Sequence, residues 1–270
     1  MFLALVLACS RPVGPFQPGP WVDDTGEPIY DALVWSDEFD GEAGTAPDAS
    51  KWTYDVGGDG WGNDQLEFDT DRTENTRLSG DGILQIVALR EEFGGRSYTS
   101  ARIKTQGLFE FETGRIEARI KVPAGNGLWP AFWMLGADFE QVGWPNCGEI
   151  DIMEARGSQP QVIHGTVHGP GYSGGSGQGA SFFGPAFTDE FHVFGLNKSP
   201  GRLSWDVDGE TFFTLEPGDL PPEAEYWAFD KPFFLILNLA IGGNFLEQPD
   251  DSTSFPAMVE VDYIRVYGGE

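Results

Sequence analysis

Two stacked antiparallel β-sheets are the architecture to expect from this chain, on three counts. Apolar and polar residues alternate in many short runs, the pattern of strands with one face in a core. The 270 residues include 37 Gly and 19 Pro, which cut those runs into strand-length pieces and leave little room for long helices. The length itself suits one large all-β domain with a substantial core.

The first 30 residues stand apart. Met1 to Ala8 is apolar, and Val6-Leu7-Ala8-Cys9 resembles a bacterial lipobox, in which the cysteine is lipidated after cleavage. No Lys or Arg precedes this run, and it is short for a signal core. Residues 1–8 therefore read as the remnant of an export signal, either of the lipoprotein type or a plain cleaved leader. The mature protein is expected outside the cytoplasm, free or anchored at the envelope through Cys9. Residues 9–30 are rich in Pro and Gly without apolar period and read as a tether. Residues 31–270 carry the folded domain, without a fixed-period repeat or a second linker.

Within that domain the first strand starts near Ala32-Leu33-Val34-Trp35. Strands are expected at 83–89, 114–122, 132–135, 162–168 and 191–196. The segment 203–207 turns through Asp208-Gly209 into 211–214, a strong hairpin signal. The run 233–239 is nearly all apolar, as a central strand covered on both faces should be, and 259–267 alternates to the end. Gly-rich stretches 57–62 and 169–179 are poor strand material and fit loops at a cleft rim. Inner and outer residues alternating along many strands give a sandwich.

Charge narrows the function. Acidic residues number 43 against 16 basic, a net charge of −27. Nucleic acid and anionic membrane surfaces, which need a basic face, are excluded as partners, and sulfated or uronic-acid polymers are disfavoured. Membrane contact is expected only through a lipid on Cys9. The two cysteines, Cys9 and Cys147, do not form a disulfide framework. Cys147 reads as a small packed side chain.

The chemistry lies in Gly148-Glu149-Ile150-Asp151-Ile152-Met153-Glu154. On a strand, Glu149 and Asp151 share a face, while Glu154 would fall on the other with Ile150 and Ile152. Burying Glu154 there is costly. One extra residue, a β-bulge near Met153, returns it to the acidic face. Long Glu side chains then flank a short Asp, and carboxyls about 5–5.5 Å apart are what retaining glycoside hydrolysis requires. The motif alone leaves open a solvated strand face or oxygen ligands for a hard cation.

Further blocks decide among these. They are Trp35-Ser36-Asp37-Glu38-Phe39, Trp61-Gly62-Asn63-Asp64-Gln65, Gly127-Leu128-Trp129-Pro130-Ala131-Phe132-Trp133-Met134-Leu135, Trp144-Pro145-Asn146-Cys147-Gly148, Leu237-Asn238-Leu239-Ala240-Ile241-Gly242-Gly243-Asn244 and Val261-Asp262-Tyr263-Ile264-Arg265-Val266-Tyr267. With them the chain resembles glycoside hydrolase family 16, and within it the laminarinase-like endo-β-1,3-glucanases. The resemblance implies a curved jelly roll with an open substrate groove on its concave sheet. It implies cleavage of internal β-1,3, or mixed β-1,3-1,4, glucan bonds with retention. Glu149 matches the nucleophile, Glu154 the general acid/base and Asp151 the acid that assists them. The bulged spacing accompanies laminarinases and several marine galactanases, whereas lichenases have one residue fewer.

Trp129, Trp133 and Trp144 sit among Pro and Gly and suit stacking on sugar rings, with core packing as the alternative. Asn63 and Gln65 resemble family residues that reach hydroxyls near the cleaved bond. His164 and His168 share a strand face. A zinc pair would need further ligands that the neighbouring sequence lacks, and the resemblance gives His168 a hydrogen bond to sugar or to a catalytic carboxylate. His192 reads as structural. The resemblance further implies a structural calcium at Glu38, Asp262 and a backbone oxygen near Gly82, with no cofactor needed for catalysis. A monomer acting on β-glucan is expected. Competing readings are a β-galactanase or transglycosylase of the same fold, and a non-catalytic glycan-binding module.

Overall fold

In the computed structural model, which describes residue 30 and residues 32–268, the alternating runs become strands. The chain passes through β1 (Ala32–Asp37), β2 (Thr53–Asp55), β3 (Glu67–Asp69), β4 (Thr76–Leu78), β5 (Leu84–Ala88) and β6 (Tyr98–Ser100). It continues through β7 (Arg102–Lys104), β8 (Gly114–Lys121), β9 (Leu128–Gly136), one helical turn α1 (Phe139–Val142), β10 (Glu149–Ala155) and β11 (Val162–His168). Then come β12 (Gln178–Phe183), β13 (His192–Ser199), β14 (Arg202–Val207), β15 (Glu210–Leu215), β16 (Phe233–Ile241) and β17 (Ala257–Gly268). The export signal, Cys9 and all of the tether but Tyr30 lie outside the described residues. No described helix is long and apolar enough to cross a membrane.

Two antiparallel sheets result. One runs β15-β14-β13-β8-β17-β5-β4, with β1 also on β17; the other runs β12-β11-β10-β9-β16-β7-β2. Alternation decides which side chains meet between them. Ile116, Ala118 and Ile120 of β8 and Val259, Val261 and Ile264 of β17 belong to one buried cluster with Phe132, Met134, Ile150, Ile152, Leu235, Leu237 and Leu239 from the second sheet. Fully burying one such side chain stabilises by about 1.5–3 kcal/mol, so a register slip that turned a strand over would forfeit several at once. The alternate residues of β9, β10 and β11 are thereby forced onto the outer face of the seven-stranded sheet. That face carries the acids.

The expected hairpin is present: Asp208 and Gly209, with φ of 50° and 80°, join β14 to β15 as a turn with two left-handed residues must. β16 is buried along its whole length. Its outer face is covered too, because Phe234 and Ile236 pack with Leu135 and Cys147, against Trp133 and Phe139. Two expectations need correction. Residues 178 and 179, read as loop, begin β12; as an edge strand pairing only β11, it tolerates glycine that a central strand would not. A short parallel ladder, β3 with β6, also lies beside the antiparallel sheets.

Candidate active site

β10 is central, between β9 and β11, and its register breaks where the sequence predicts. Against β11, Asp151 is opposite Thr166 and Glu154 opposite His164, so one residue, Gly165, faces both Ile152 and Met153. Against β9 the partners are Glu149 with Leu135, Asp151 with Trp133 and Glu154 with Ala131. Ile152 and Met153 are both buried in the core. The bulge thus spends its extra residue inward, and Glu149, Asp151 and Glu154 occupy consecutive positions on the outer face. Each step is about 6.8 Å along a strand, a spacing that two long Glu side chains can close over a shorter Asp.

Burial governs the electrostatics. The carboxyls of Glu149, Asp151 and Glu154 are pushed up to about 8, by desolvation first of all, and the Asp151 charge contributes to the rise in both glutamates. Glu154 also raises Glu149, while His168 opposes the rise in both glutamates. His168 Nε2 lies 3.4 Å from Asp151 Oδ2 and 3.7 Å from Glu149 Oε1. Trp129 Nε1–H donates to Glu154 Oε1 at 3.0 Å, favouring the ionised form of that glutamate. Each ionisation makes the next harder, so the three acids titrate as a unit that retains protons near neutrality. A carboxylate that attacks beside a carboxylic acid that donates needs such a unit.

Two expected results follow. The folded carboxyls hold protons up to about pH 8, whereas unfolded ones release them near pH 4. Across that window the folded chain binds more protons, so stability falls as pH rises through it. Melting should occur at a lower temperature at pH 8 than at pH 5, and Asp151→Asn with Glu154→Gln should flatten the slope; an unchanged slope would refute the cause. Trp129→Phe removes the indole donor, which raises the Glu154 pKa. The alkaline limb of kcat/KM should move to higher pH, and a shift to lower pH would contradict this geometry.

The chain is similar to known proteins over most of its length. A model of the family described as "Glycosyl hydrolases family 16" matches residues 53–265. The chain belongs to glycosyl hydrolase family 16. A "Beta-glucanase" of Rhodothermus marinus is 46% identical over 87% of this chain and 84% of that protein. The laminarinase catalytic domain of Thermotoga maritima superposes with a TM-score of 0.84 at 42% identity, covering 90% of this chain and 99% of that one. An endo-β-1,3-glucanase of Pyrococcus furiosus gives 0.83 at 46% identity, over 87% and 94%. The jelly roll of family 16 is therefore the fold, and the chain is a glycoside hydrolase.

The structure places the other residues named from the sequence as follows. Trp129 is buried against Glu154 and packs on Phe245 with ring centroids 5.0 Å apart, so its indole serves the acid as well as any sugar. Trp133 is half-buried, its Nε1–H donating to Asn238 Oδ1 at 2.8 Å. Trp144 is 45% exposed and its ring lies 6.2 Å from that of His168. Gln65 is buried and bridges Gly242; Asn63 is exposed, its carbonyl accepting from the Asn244 amide. Gly243, at φ 100°, has a backbone that strains any side chain, and a Cβ there would crowd Asn63 O at 3.0 Å and the Trp129 ring at 3.3 Å. His164 accepts from or donates to Ser181 Oγ at 2.9 Å. His192 pairs with Asp208 at 2.7 Å far along the other sheet, a structural role. Cys147 is fully buried.

Sequence reasoning missed three groups. Arg102 lies 4.7 Å over the Trp133 ring and is paired with Asp55 at 2.9 Å. Its strand is only three residues long, which leaves no period to read. Phe245 packs on Trp129 and His164, with Arg156 4.1 Å over its ring, in a loop without regular pattern. Asn238 did leave a signal: it is the polar residue inside the apolar run of β16.

The register also brings Glu38, Gly82 and Asp262 to one place, since Asp37 is opposite Ile264 and Leu84 opposite Val261 on β17. A register shift between Val261 and Tyr263 marks a bulge at Asp262. Oxygen donors of this kind suit a hard cation. Both carboxylates are engaged by arginines: Glu38 by Arg265 at 2.7 and 2.9 Å, and Asp262 by Arg119. The Glu38 carbonyl stays beside Gly82, 3.7 Å from where a Cβ there would stand.

Proposed function

We propose that this family 16 hydrolase is a retaining endo-β-1,3-glucanase that accepts laminarin-like glucans and tolerates mixed β-1,3-1,4 linkages. The observation that carries this reading is the bulge that places Glu149, Asp151 and Glu154 on one outer sheet face beside tryptophans. The glucanase and laminarinase names of its relatives support the linkage.

Glu149, ionised, attacks the anomeric carbon and forms a glycosyl ester, while Glu154 gives its proton to the departing glycosidic oxygen. Glu154, now a carboxylate, takes a proton from water as that water attacks the ester, releasing Glu149 and restoring the first state. Asp151, beside both glutamates and His168, helps fix which group holds the shared proton. A face lined by Trp129, Trp133 and Trp144 offers flat apolar rings to sugar C–H faces.

Incubation with laminarin, lichenan, agarose and carrageenan, followed by measurement of new reducing ends, tests the substrate class. Rapid release from laminarin with a ladder of oligosaccharides is expected. Release from lichenan or a galactan alone would overturn the linkage reading, and no release from any would favour a glycan-binding module. A binder has no use for three acids, two buried and one half-buried, whose carboxyls resist ionisation.

Calcium at the Glu38 carbonyl, Gly82 and Asp262 is proposed as a structural ion that competes with Arg119 for Asp262. Chelation should then lower the melting temperature and leave kcat below that temperature unchanged; an unchanged melting curve would remove the ion from the account. Export through the leader at residues 1–8 would bring the enzyme to where polymeric glucan is found. Loss of palmitate labelling in Cys9→Ser tests the lipid anchor.

A further inference from the structure

The catalytic bulge has a support from the opposite sheet. Where β10 departs from its register, between Asp151 and Glu154, the Asp151 carbonyl accepts a hydrogen bond from Trp205 Nε1–H at 2.9 Å. Trp205 belongs to β14 in the eight-stranded sheet and is wholly buried, so its indole crosses the sandwich to reach β10. A buried backbone carbonyl needs a hydrogen-bond partner, and here the indole N–H reaches one at the register break.

The space for that ring is specific. Gly165 is the β11 residue that faces the two bulge residues Ile152 and Met153. A Cβ on Gly165 would stand 2.8 Å from Trp205 Cδ1 and 3.0 Å from Phe212 Cζ. The missing side chain of Gly165 therefore admits the Trp205 ring directly beneath the bulge. Phe213 stacks on the ring at 4.8 Å, away from the hydrogen bond itself.

We propose that Trp205 is a positioning residue for hydrolysis: through the Asp151 carbonyl and the slot at Gly165, it locks the bulge that keeps Asp151 and Glu154 on the substrate face. Trp205 touches neither sugar nor carboxyl. It acts by selecting the bulged register over a regular strand, in which Glu154 would turn toward the core. The inference rests on the hydrolase reading above and adds a residue to it.

The test compares Trp205→Phe, which deletes the N–H, with Gly165→Ala, which crowds the ring, and with Phe213→Leu. The last loosens packing around the ring and keeps the hydrogen bond. Trp205→Phe and Gly165→Ala should lower kcat on laminarin by on the order of 10²-fold, the scale of a small misplacement of reacting groups, with KM unchanged. Amide hydrogen exchange should quicken at 150–154 in both and not in β8. Phe213→Leu should lose thermal stability with kcat and exchange at 150–154 preserved. Wild-type kcat and exchange in Trp205→Phe, or equal losses in Phe213→Leu, would overturn the proposal. A wild-type protein inactive on every glucan would instead remove the hydrolase reading, and the exchange comparison would still decide whether Trp205 holds the bulge.

Discussion

Glu149→Ser is expected to reduce kcat on laminarin by on the order of 10⁴-fold or more, the scale reached when one member of a concerted catalytic unit is removed. The fold should survive. Glu149 lies on the outer face, and its carboxyl resists ionisation because burial opposes the charge. Removing it takes away an unfavourable group, so the melting temperature at pH 8 should hold or rise. Azide supplies the sharper criterion. With the carboxylate gone, azide enters from the vacated side and should yield the α-glucosyl azide. Circular dichroism, turnover and product stereochemistry together check this expectation. Retained turnover, or a β-azide, would assign the nucleophile elsewhere.

Glu154→Gln should be nearly as damaging on laminarin, for a different reason. The amide cannot protonate the leaving oxygen, nor accept a proton from water afterwards. Aryl glucosides with good leaving groups need no acid, so their first step should be largely spared and the glycosyl ester should accumulate. Azide then attacks that ester from the water side and should give the β-azide with restored turnover. The alkaline limb of the pH profile should vanish along with the acid. Equal loss on laminarin and activated substrates, or persistence of the limb, would contradict the role given to Glu154.

Much of this was legible in the residues, and the reasons are physical. The bulge could be read because burying Glu154 beside Ile150 and Ile152 costs too much, and the core took Ile152 and Met153 instead. Long strands such as β8 and β16 announced themselves through period and apolarity. Strands of three residues, β2, β3, β4, β6 and β7, contain too few positions for any period and were unreadable. The same limit concealed Arg102. β12 was hidden because Gly179 marks a loop unless an edge position excuses it. Trp129 was identified as a groove residue, but its bond to Glu154 depends on two strands meeting at Ala131 and Glu154. Trp205 is harder still, for its partner is a backbone carbonyl in the opposite sheet, 54 residues earlier in the chain.

The buried acids also show what the site demands of the fold. Three neighbouring carboxyls pushed up to about 8 cost stability at neutral pH. The chain adds another such pair away from the triad, Glu67 and Asp69 on β3, both raised by burial. The Glu67 carboxylate accepts from the Ile241 amide at 2.7 Å, which ties β3 to the end of β16 next to the Gly242–Gly243 turn. The core supplies the offsetting stabilisation, and the acids stay on the face where their chemistry is needed.

Trapping with a 2-deoxy-2-fluoro laminaribiosyl fluoride, followed by mass spectrometry of the digested protein, probes the double-displacement geometry at its covalent step. The added fluoro-disaccharide should be found as an ester on the peptide containing the 149–154 motif, with fragmentation assigning it to Glu149. Label on Glu154 or Asp151, or turnover of the reagent with direct inversion and no adduct, would show that the bulged strand does not present its acids to the sugar in this way.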